Sequence, residues 1–167
     1  MGLNRAYIAL GGNLGDLKQT FNQARSDIEA ADNIHITACS KLYRTTPVGP
    51  AGQPEYLNAV IEIETFTQPD GLLALLHRIE DAHGRVRAER WGARTLDLDI
   101  LAYGDLQIHS KALTIPHAMI TQRMFVLRPL CDIAPKWQHP QLKVTVEQMI
   151  DQLIETGEAP LPRGEAW

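Results

Sequence analysis

The run Tyr56-Leu-Asn-Ala-Val-Ile-Glu-Ile-Glu-Thr65 has the pattern of a β-strand that buries one face. Ala59, Ile61 and Ile63 lie on one side of an extended chain, and Val60 and the two glutamates lie on the other, because successive side chains of a strand point to opposite faces. The apolar side must be covered by other elements, so the segments before and after this run determine the fold class.

Three more strands are predicted around this run. Residues 6–10 form a short apolar stretch that ends at the turn Gly11-Gly-Asn13, and residues 34–43 and 95–103 also have strand patterns. Between the second of these strands and the opening run lies Thr46-Pro-Val-Gly-Pro-Ala-Gly52, whose prolines and glycines exclude regular structure. This segment is expected to be an exposed loop.

Three helices are predicted between and after the strands. The first follows Asp16, the expected N-cap, and its apolar residues recur every three or four positions along one face. These residues are Leu17, Phe21, Ala24, Ile28 and Ala31. The second helix begins near Thr67-Gln-Pro-Asp70, which has capping-box spacing with Pro69 in the first turn, and it ends before Gly84. The third covers residues 145–154.

The order of the elements, β-α-β-β-α-β, predicts an α+β fold with a ferredoxin-like core, in which helices pack on an antiparallel sheet. Residues 116–130, which contain a turn and a mostly apolar segment, would add to this core. A length of 167 residues is typical of one domain, so residues 1–167 are expected to fold as a single unit.

Charge and composition argue against several classes of protein. A net charge of −4 makes general attraction to nucleic acid or to an anionic membrane a poor first hypothesis. The apolar runs are too short for a membrane span, and the pattern of a signal peptide is absent, so a cytoplasmic protein is expected. Cys39 and Cys131 are expected to be small buried residues rather than a disulfide or a nucleophile.

Basic residues are concentrated in one segment of this acidic chain. Four arginines and a single acid, Glu89, fall within residues 84–94. Arginine suits bidentate phosphate binding, although a solvated basic loop would have the same charge. Trp91 and three small residues between the arginines favour a lid that closes on a charged, flat ligand.

Two carboxylates follow this segment in Leu96-Asp97-Leu98-Asp99-Ile100. On a strand, Asp97 and Asp99 point to one face with their Cα atoms roughly 6.6 Å apart, and the leucines point into the core. Like charges at this spacing repel each other unless a cation lies between them, and Mg²⁺ combines one or two carboxylates with substrate phosphates. The pattern therefore predicts a Mg-nucleotide site, with an exposed edge strand as the alternative. The chain has neither a P-loop nor a dinucleotide-binding fingerprint.

Seven segments together carry a resemblance to the 6-hydroxymethyl-7,8-dihydropterin pyrophosphokinase family. They run in family order from residue 7 to about residue 135, and the block that starts at Arg90 is the most specific. The segments are Ala9-Leu-Gly-Gly-Asn-Leu-Gly-Asp16, Tyr43-Arg-Thr-Thr-Pro-Val-Gly-Pro50, Gln53-Pro-Glu-Tyr-Leu-Asn58, Arg85-Val-Arg87, Arg90-Trp-Gly-Ala-Arg-Thr-Leu-Asp-Leu-Asp-Ile100, Pro116-His117 and Arg123-Met-Phe-Val-Leu127. Gly12, Ala112 and Ala118 stand where the family more often has Ser, Arg and Pro.

The resemblance implies a reaction in folate biosynthesis. A diphosphate would pass from ATP to the hydroxymethyl group of the pterin, with release of AMP. The implied fold is a three-layer α-β-α variant of the ferredoxin-like core, and the implied cofactors are two Mg²⁺ ions held by Asp97 and Asp99. ATP and the hydroxymethyl dihydropterin would be the partners of a monomer that binds neither nucleic acid nor membrane.

The resemblance also implies roles for individual residues. The expected catalytic residues are Arg94, Arg87, Asp97 and Asp99. The expected pterin contacts are Thr45, Pro47, Val48, Tyr56, Asn58, Trp91 and Phe125, with Tyr56 and Phe125 on either side of the ring. The expected nucleotide contacts are Glu80, Arg85, Arg87, Trp91, Arg94, Ile100, Thr114, His117 and Arg123.

Other interpretations of the same residues stay open at this level. Without the resemblance, Phe125 would be assigned to the core, and Glu80 could pair with a nearby arginine. An RNA-binding module with this topology would use the arginine-rich segment, but the aromatic consensus of an RNA-recognition motif is absent. A small-molecule sensor without catalysis is the third alternative. No functional role is predicted for His35, His77, His83, His109 and His139.

Overall fold

The computed structural model describes residues 2–46, 54–84 and 95–167. Within these ranges the chain forms seven strands, four α-helices and one short 3-10 turn. In chain order they are β1 (Asn4–Gly12), α1 (Leu17–Glu29), β2 (Ile34–Cys39), β3 (Tyr43–Thr45), β4 (Tyr56–Thr65), α2 (Pro69–Ala82), β5 (Asp97–Tyr103), β6 (Ile108–His109), β7 (Thr114–Ile115), the 3-10 turn (Ile120–Gln122), α3 (Met124–Ile133) and α4 (Val146–Glu155).

Five strands form one antiparallel sheet in the order β2-β4-β1-β5, with β3 paired to β4 next to β2. The long strand β4 pairs with three other strands, and its register with β1 runs from Asn4 opposite Thr65 to Gly12 opposite Leu57. This strand order, with helices α1 and α2 joining the strands, confirms the predicted ferredoxin-like core.

Helices cover both faces of the sheet. On one face, Ala59, Ile61 and Ile63 of β4 lie in a core cluster with residues of α1 and α2. On the other face, Val60 lies in a second cluster with residues of α3 and α4, among them Leu127. The predicted three-layer α-β-α arrangement is therefore correct, and β4 is buried on both faces over much of its length.

The prediction of a single strand over residues 34–43 is wrong. The strand stops at Cys39 and resumes at Tyr43, because the Ser40 side chain enters the hydrogen-bond ladder. Its hydroxyl oxygen accepts the Val60 N–H at 2.9 Å, and the Ser40 N–H donates to the Val60 carbonyl at 2.9 Å. Leu42 then pairs with Glu165 rather than with β4.

The helix starts were predicted with mixed success. Asp16 caps α1 by accepting the Gln19 N–H, and Thr145 forms a capping box with Gln148 at the start of α4. Thr67 is not a cap, because α2 begins at Pro69 and its N-cap is Gln68, which makes no side-chain capping bond. The Thr67 carbonyl instead accepts the Tyr103 hydroxyl at 2.6 Å.

Two smaller features bear on the predictions from composition. Cys39 and Cys131 are free thiols, and both are half-buried rather than fully buried. No helix in the described part of the chain has the length and apolar content needed to cross a membrane.

We predict that the two threonines differ in their effect on stability. Thr145→Ala should lower the free energy of unfolding by about 1 kcal/mol, because it removes the acceptor for the Gln148 N–H. Thr67→Ala should cost clearly less, since this side chain caps no helix. Urea unfolding of both variants measures the difference. Equal losses would show that Thr67 contributes to the start of α2 after all.

Candidate active site

Three strands bring the predicted site residues together at one end of the sheet. Gly11 near the end of β1 lies opposite Asp97 of β5 on one side and opposite Asn58 of β4 on the other. Residues paired in this way share a face of the sheet, so Asp97 and Asn58 flank Gly11 with their Cα atoms about 10 Å apart, two strand spacings. This is the face that α3 and α4 cover.

Glycines keep this end of the sheet open. A Cβ atom on Gly11 would lie 3.4 Å from the Asn58 amide oxygen, so the missing side chain leaves room between the two polar residues. A Cβ atom on Gly12 would lie only 2.7 Å from the Thr95 carbonyl oxygen. Gly12 thus allows close approach of β1 to the segment that enters β5.

The two carboxylates share a face, as predicted. Asp97 is half-buried and Asp99 is exposed, while Leu98 and Ile100 lie in the core on the opposite face. Carboxylate oxygens at this spacing suit Mg²⁺, which takes its remaining ligands from phosphates and water. Among residues 2–46, 54–84 and 95–167, no three His, Cys, Asp or Glu side chains form a ready-made metal cage. Asp97 and Asp99 would therefore supply two ligands, and the others would come from the substrate and water.

Asn58 is held in one orientation by its neighbour on β3. It is 7% exposed, and its amide nitrogen donates to the Thr45 hydroxyl at 3.0 Å. Thr45 pairs in register with Tyr56, so three predicted pterin contacts lie on adjacent strands. The amide oxygen lies on the Gly11 side, where it can accept a hydrogen bond.

The first turn of α3 carries Arg123, its N-cap residue, and Phe125. Phe125 is 37% exposed rather than part of the core, and the Arg123 guanidinium carbon lies 5.7 Å from the centre of its ring. Pro129 has no N–H to donate to the Phe125 carbonyl, so the helix lacks one backbone hydrogen bond at this turn. The exposed Phe125 ring is thus accessible on the side of the sheet that carries the carboxylates.

His117 is half-buried beside β5. Its backbone N–H donates to the Leu101 carbonyl at 2.9 Å, and its Nδ1 accepts the Met119 N–H at 3.1 Å. Burial lowers the pKa of His117, the Asp99 carboxylate partly opposes this, and Arg123 lowers the pKa further. Because Nδ1 is an acceptor, the neutral ring carries its proton on Nε2 and is a hydrogen-bond donor there.

Glu80 of α2 holds β5 from its outer edge. The side chain is 3% exposed, and its Oε2 accepts the Leu98 N–H at 2.7 Å. Leu98 lies between the two aspartates, so this contact fixes the backbone that carries both carboxylates. The predicted nucleotide role of Glu80 stays a prediction, while a structural role is visible.

The remaining predicted residues lie in three different environments. The Ile100 side chain is 3% exposed in the core, so a nucleotide could reach only its backbone. Thr114 is half-buried in β7 and pairs with His109. Six predicted site residues lie outside the described residues, namely Pro47, Val48, Arg85, Arg87, Trp91 and Arg94.

Some residues that shape the site were not predicted as site residues from the sequence. Asn13 is buried and its amide nitrogen lies 3.4 Å from the Pro54 carbonyl oxygen, which links the turn after β1 to the start of β4. The Gly-Gly-Asn turn was the only signal for it. Thr95 donates its hydroxyl to the His83 carbonyl at 2.7 Å, and Asp132 of α3 accepts the Tyr43 hydroxyl. Neither contact leaves a local signal in the sequence.

Comparison with known proteins gives a consistent family. The profile of the 7,8-dihydro-6-hydroxymethylpterin-pyrophosphokinase (HPPK) family matches residues 7–135. A Synechocystis 2-amino-4-hydroxy-6-hydroxymethyldihydropteridine pyrophosphokinase is 40% identical over 95% of this chain and 81% of its own length. The enzyme of the same name from Haemophilus influenzae is 46% identical over 85% of this chain and 89% of its own.

Solved structures support the fold. A Plasmodium falciparum HPPK-DHPS with pteroate has a TM-score of 0.74 and 16% identity over 92% of this chain. An HPPK-DHPS in complex with substrates has a TM-score of 0.75 and 14% identity over 93% of this chain. This chain spans only 43% and 44% of those two chains.

We predict that NMR titration of the protein freed of metal by a chelator gives a pKa of His117 below the ordinary value of histidine. Asp99→Asn should lower this pKa further, because the carboxylate favours the charged ring, and Arg123→Gln should raise it. His139, whose pKa is lowered by burial alone, is the control that neither substitution should move. A His117 pKa at or above the ordinary value would contradict the described environment.

Proposed function

Since this chain belongs to the 7,8-dihydro-6-hydroxymethylpterin-pyrophosphokinase family, we propose that it transfers a diphosphate from ATP to the hydroxymethyl group of 6-hydroxymethyl-7,8-dihydropterin, giving AMP and the pterin diphosphate. The observation that carries this proposal is the juxtaposition across Gly11, where an oriented amide on one side faces a pair of carboxylates on the other. One side suits a flat heterocycle and the other suits a metal-bound phosphate chain.

Asp97, Asp99, His117 and Arg123 would form the nucleotide half of the site. Asp97 and Asp99 would hold Mg²⁺, which when bound neutralises charge on the phosphate oxygens during an in-line displacement. Arg123 supplies a permanent positive charge, and neutral His117 offers its Nε2 proton to an oxygen of the nucleotide. The charges of Asp99 and Arg123 both act on His117, so these three side chains lie near one another.

Asn58, Tyr56, Thr45 and Phe125 would form the pterin half. The edge of a pterin carries both donors and acceptors, and an amide is the side chain that can match both. The exposed Phe125 ring offers a face on which a flat ring can stack. Thr45 keeps the amide nitrogen of Asn58 turned toward β3, which leaves the amide oxygen on the Gly11 side.

The reaction requires both halves at once. The pterin hydroxyl oxygen forms a bond to the β-phosphorus, the bond from that phosphorus to the bridging α-oxygen breaks, and AMP leaves as the hydroxyl proton is released. The Cα atoms of Asn58 and Asp97 are about 10 Å apart, and Gly11 between them has no side chain, so the hydroxymethyl group could meet the phosphate chain there. Catalysis by Arg94 and Arg87 and contacts from Arg85 and Trp91 remain predictions, as do a monomeric state and a cytoplasmic location.

Product analysis tests the proposal. The protein is incubated with ATP, Mg²⁺ and the hydroxymethyl dihydropterin, and the nucleotide product is identified. AMP together with the pterin diphosphate is the expected result. Formation of ADP would indicate a different phosphoryl transfer, and the absence of turnover would favour a binding protein.

We predict that Asp97→Asn and Asp99→Asn each lower kcat by at least about 10²-fold, the order lost when one electrostatic contact to a transition state is removed. The fold should survive, because both side chains lie at the edge of the sheet face and outside the core. Asp105→Asn, an exposed carboxylate just after β5, is the matched control and should leave kcat unchanged. Full activity of either site variant at saturating Mg²⁺ would refute the metal assignment.

A second substitution addresses the pterin half. Phe125→Ala should raise the KM for the pterin roughly tenfold, because stacking on one aromatic ring is worth about 1–3 kcal/mol. Phe66→Ala removes an even more exposed ring at the opposite end of the sheet, and it should leave this KM unchanged. Steady-state kinetics with saturating ATP measures both values, and an equal response of the two variants would argue against stacking on Phe125.

A further inference from the structure

The strand β3 is weakly supported by the sheet itself. It has three residues, which pair only with the first residues of β4, so Tyr43 lies opposite Asn58 and Thr45 lies opposite Tyr56. The residue that orients the Asn58 amide is therefore on a short edge strand. A displacement of β3 would move the Thr45 hydroxyl away from the amide nitrogen that donates to it.

A buried hydrogen bond ties β3 to α3. The Tyr43 side chain is 2% exposed, and its hydroxyl lies 2.7 and 2.9 Å from the two carboxylate oxygens of Asp132. The same carboxylate accepts the Lys41 N–H at 3.1 Å and pairs with Arg128 at 3.2 Å. Burial and Asp132 raise the pKa of Tyr43 to about 12, so the phenol remains a donor at neutral pH.

The two ends of this bond belong to the elements that carry the pterin contacts. Asp132 follows Phe125 by seven residues, so the two side chains lie on the same face of α3, about 10 Å apart along its axis. Tyr43 precedes Thr45 by two residues, so these side chains share a face of β3. The bond thus connects the helix face that carries the ring to the strand that orients the amide.

We propose that Tyr43 and Asp132 are a positioning pair for the pterin, which set the separation between the Phe125 ring and the Thr45–Asn58 edge. This inference rests on the proposed function. The pair touches neither substrate and acts through the elements that it joins. Most of the nucleotide half depends on other contacts, since Glu80 holds β5 at Leu98 and His117 is bonded to the Leu101 carbonyl. Only Arg123 of that half lies on α3.

Tyr43→Phe tests the pair, and the chain contains a matched control. Tyr7 is also a buried tyrosine on the same face of the sheet, 6% exposed, with its hydroxyl 2.9 Å from the Glu62 carboxylate. It lies about 13 Å along β1 from Gly11, away from the site. Tyr7→Phe therefore removes the same kind of bond, but this bond joins β1 to β4 and involves neither β3 nor α3.

The measured quantities are the Kd of the pterin in the presence of a non-hydrolysable ATP analogue, the Kd of the analogue itself and the thermal midpoint of unfolding. Tyr43→Phe should raise the pterin Kd about fivefold, the size of one hydrogen bond, and should change the analogue Kd much less, because only Arg123 among the nucleotide contacts lies on α3. The two substitutions should lower the thermal midpoint by similar amounts, but Tyr7→Phe should leave the pterin Kd unchanged.

A double-mutant cycle separates positioning from general loss of stability. If the two residues act as a pair, Asp132→Asn and the double variant should raise the pterin Kd no further than Tyr43→Phe alone raises it. Equal effects of Tyr43→Phe and Tyr7→Phe, or additive effects of the two pair substitutions, would overturn the inference. If the wild type is active and Tyr43→Phe leaves the pterin Kd unchanged, only this inference is overturned. If the wild type binds no pterin, the proposed function is overturned as well.

Discussion

The site depends on the register of three antiparallel strands at Gly11. Because side chains alternate along each strand, a shift of either neighbour by one residue would turn Asn58 or Asp97 to the opposite face of the sheet. The register is held by burial of both faces: Ala59 and Ile61 of β4 pack against α1 and α2, while Val60 packs against α3 and α4. A slip would exchange these two sets, which makes the placement of the amide and the carboxylates a consequence of core packing.

The two helical layers have different roles around this sheet. α2 contributes the buried Glu80, which holds the backbone of β5 from the side opposite to the site. α3 lies on the site face and brings Arg123 and Phe125 to the end of the sheet. One layer thus supports the strand that carries the carboxylates, and the other supplies side chains that can contact ligands.

Patterns of short range were sufficient to predict β1, β2, β4 and β5, the cap at Asp16, and the shared face of Asp97 and Asp99. The break at Ser40 was not predictable, because its cause is a hydrogen bond to Val60, twenty residues away. The exposure of Phe125 depends on where α3 lies relative to the sheet. The apolar character of the residue alone therefore indicated a place in the core. Family resemblance identified this residue, and periodicity could not. The capping error at Thr67 has a local cause, since Pro69 fits the first position of α2 and moves the start of the helix past Thr67.

The buried Glu80 explains how an edge strand can serve as the platform for two carboxylates. An edge strand presents backbone N–H groups that no neighbouring strand satisfies, and pairing with another chain is the usual hazard. A further strand on β5 would remove this hazard, but it would also crowd the edge beside which His117 and β7 lie. A carboxylate that accepts the Leu98 N–H satisfies the backbone without adding a strand. Glu80 therefore stabilises the backbone of β5, and Asp97 and Asp99 carry the charge that faces the ligand.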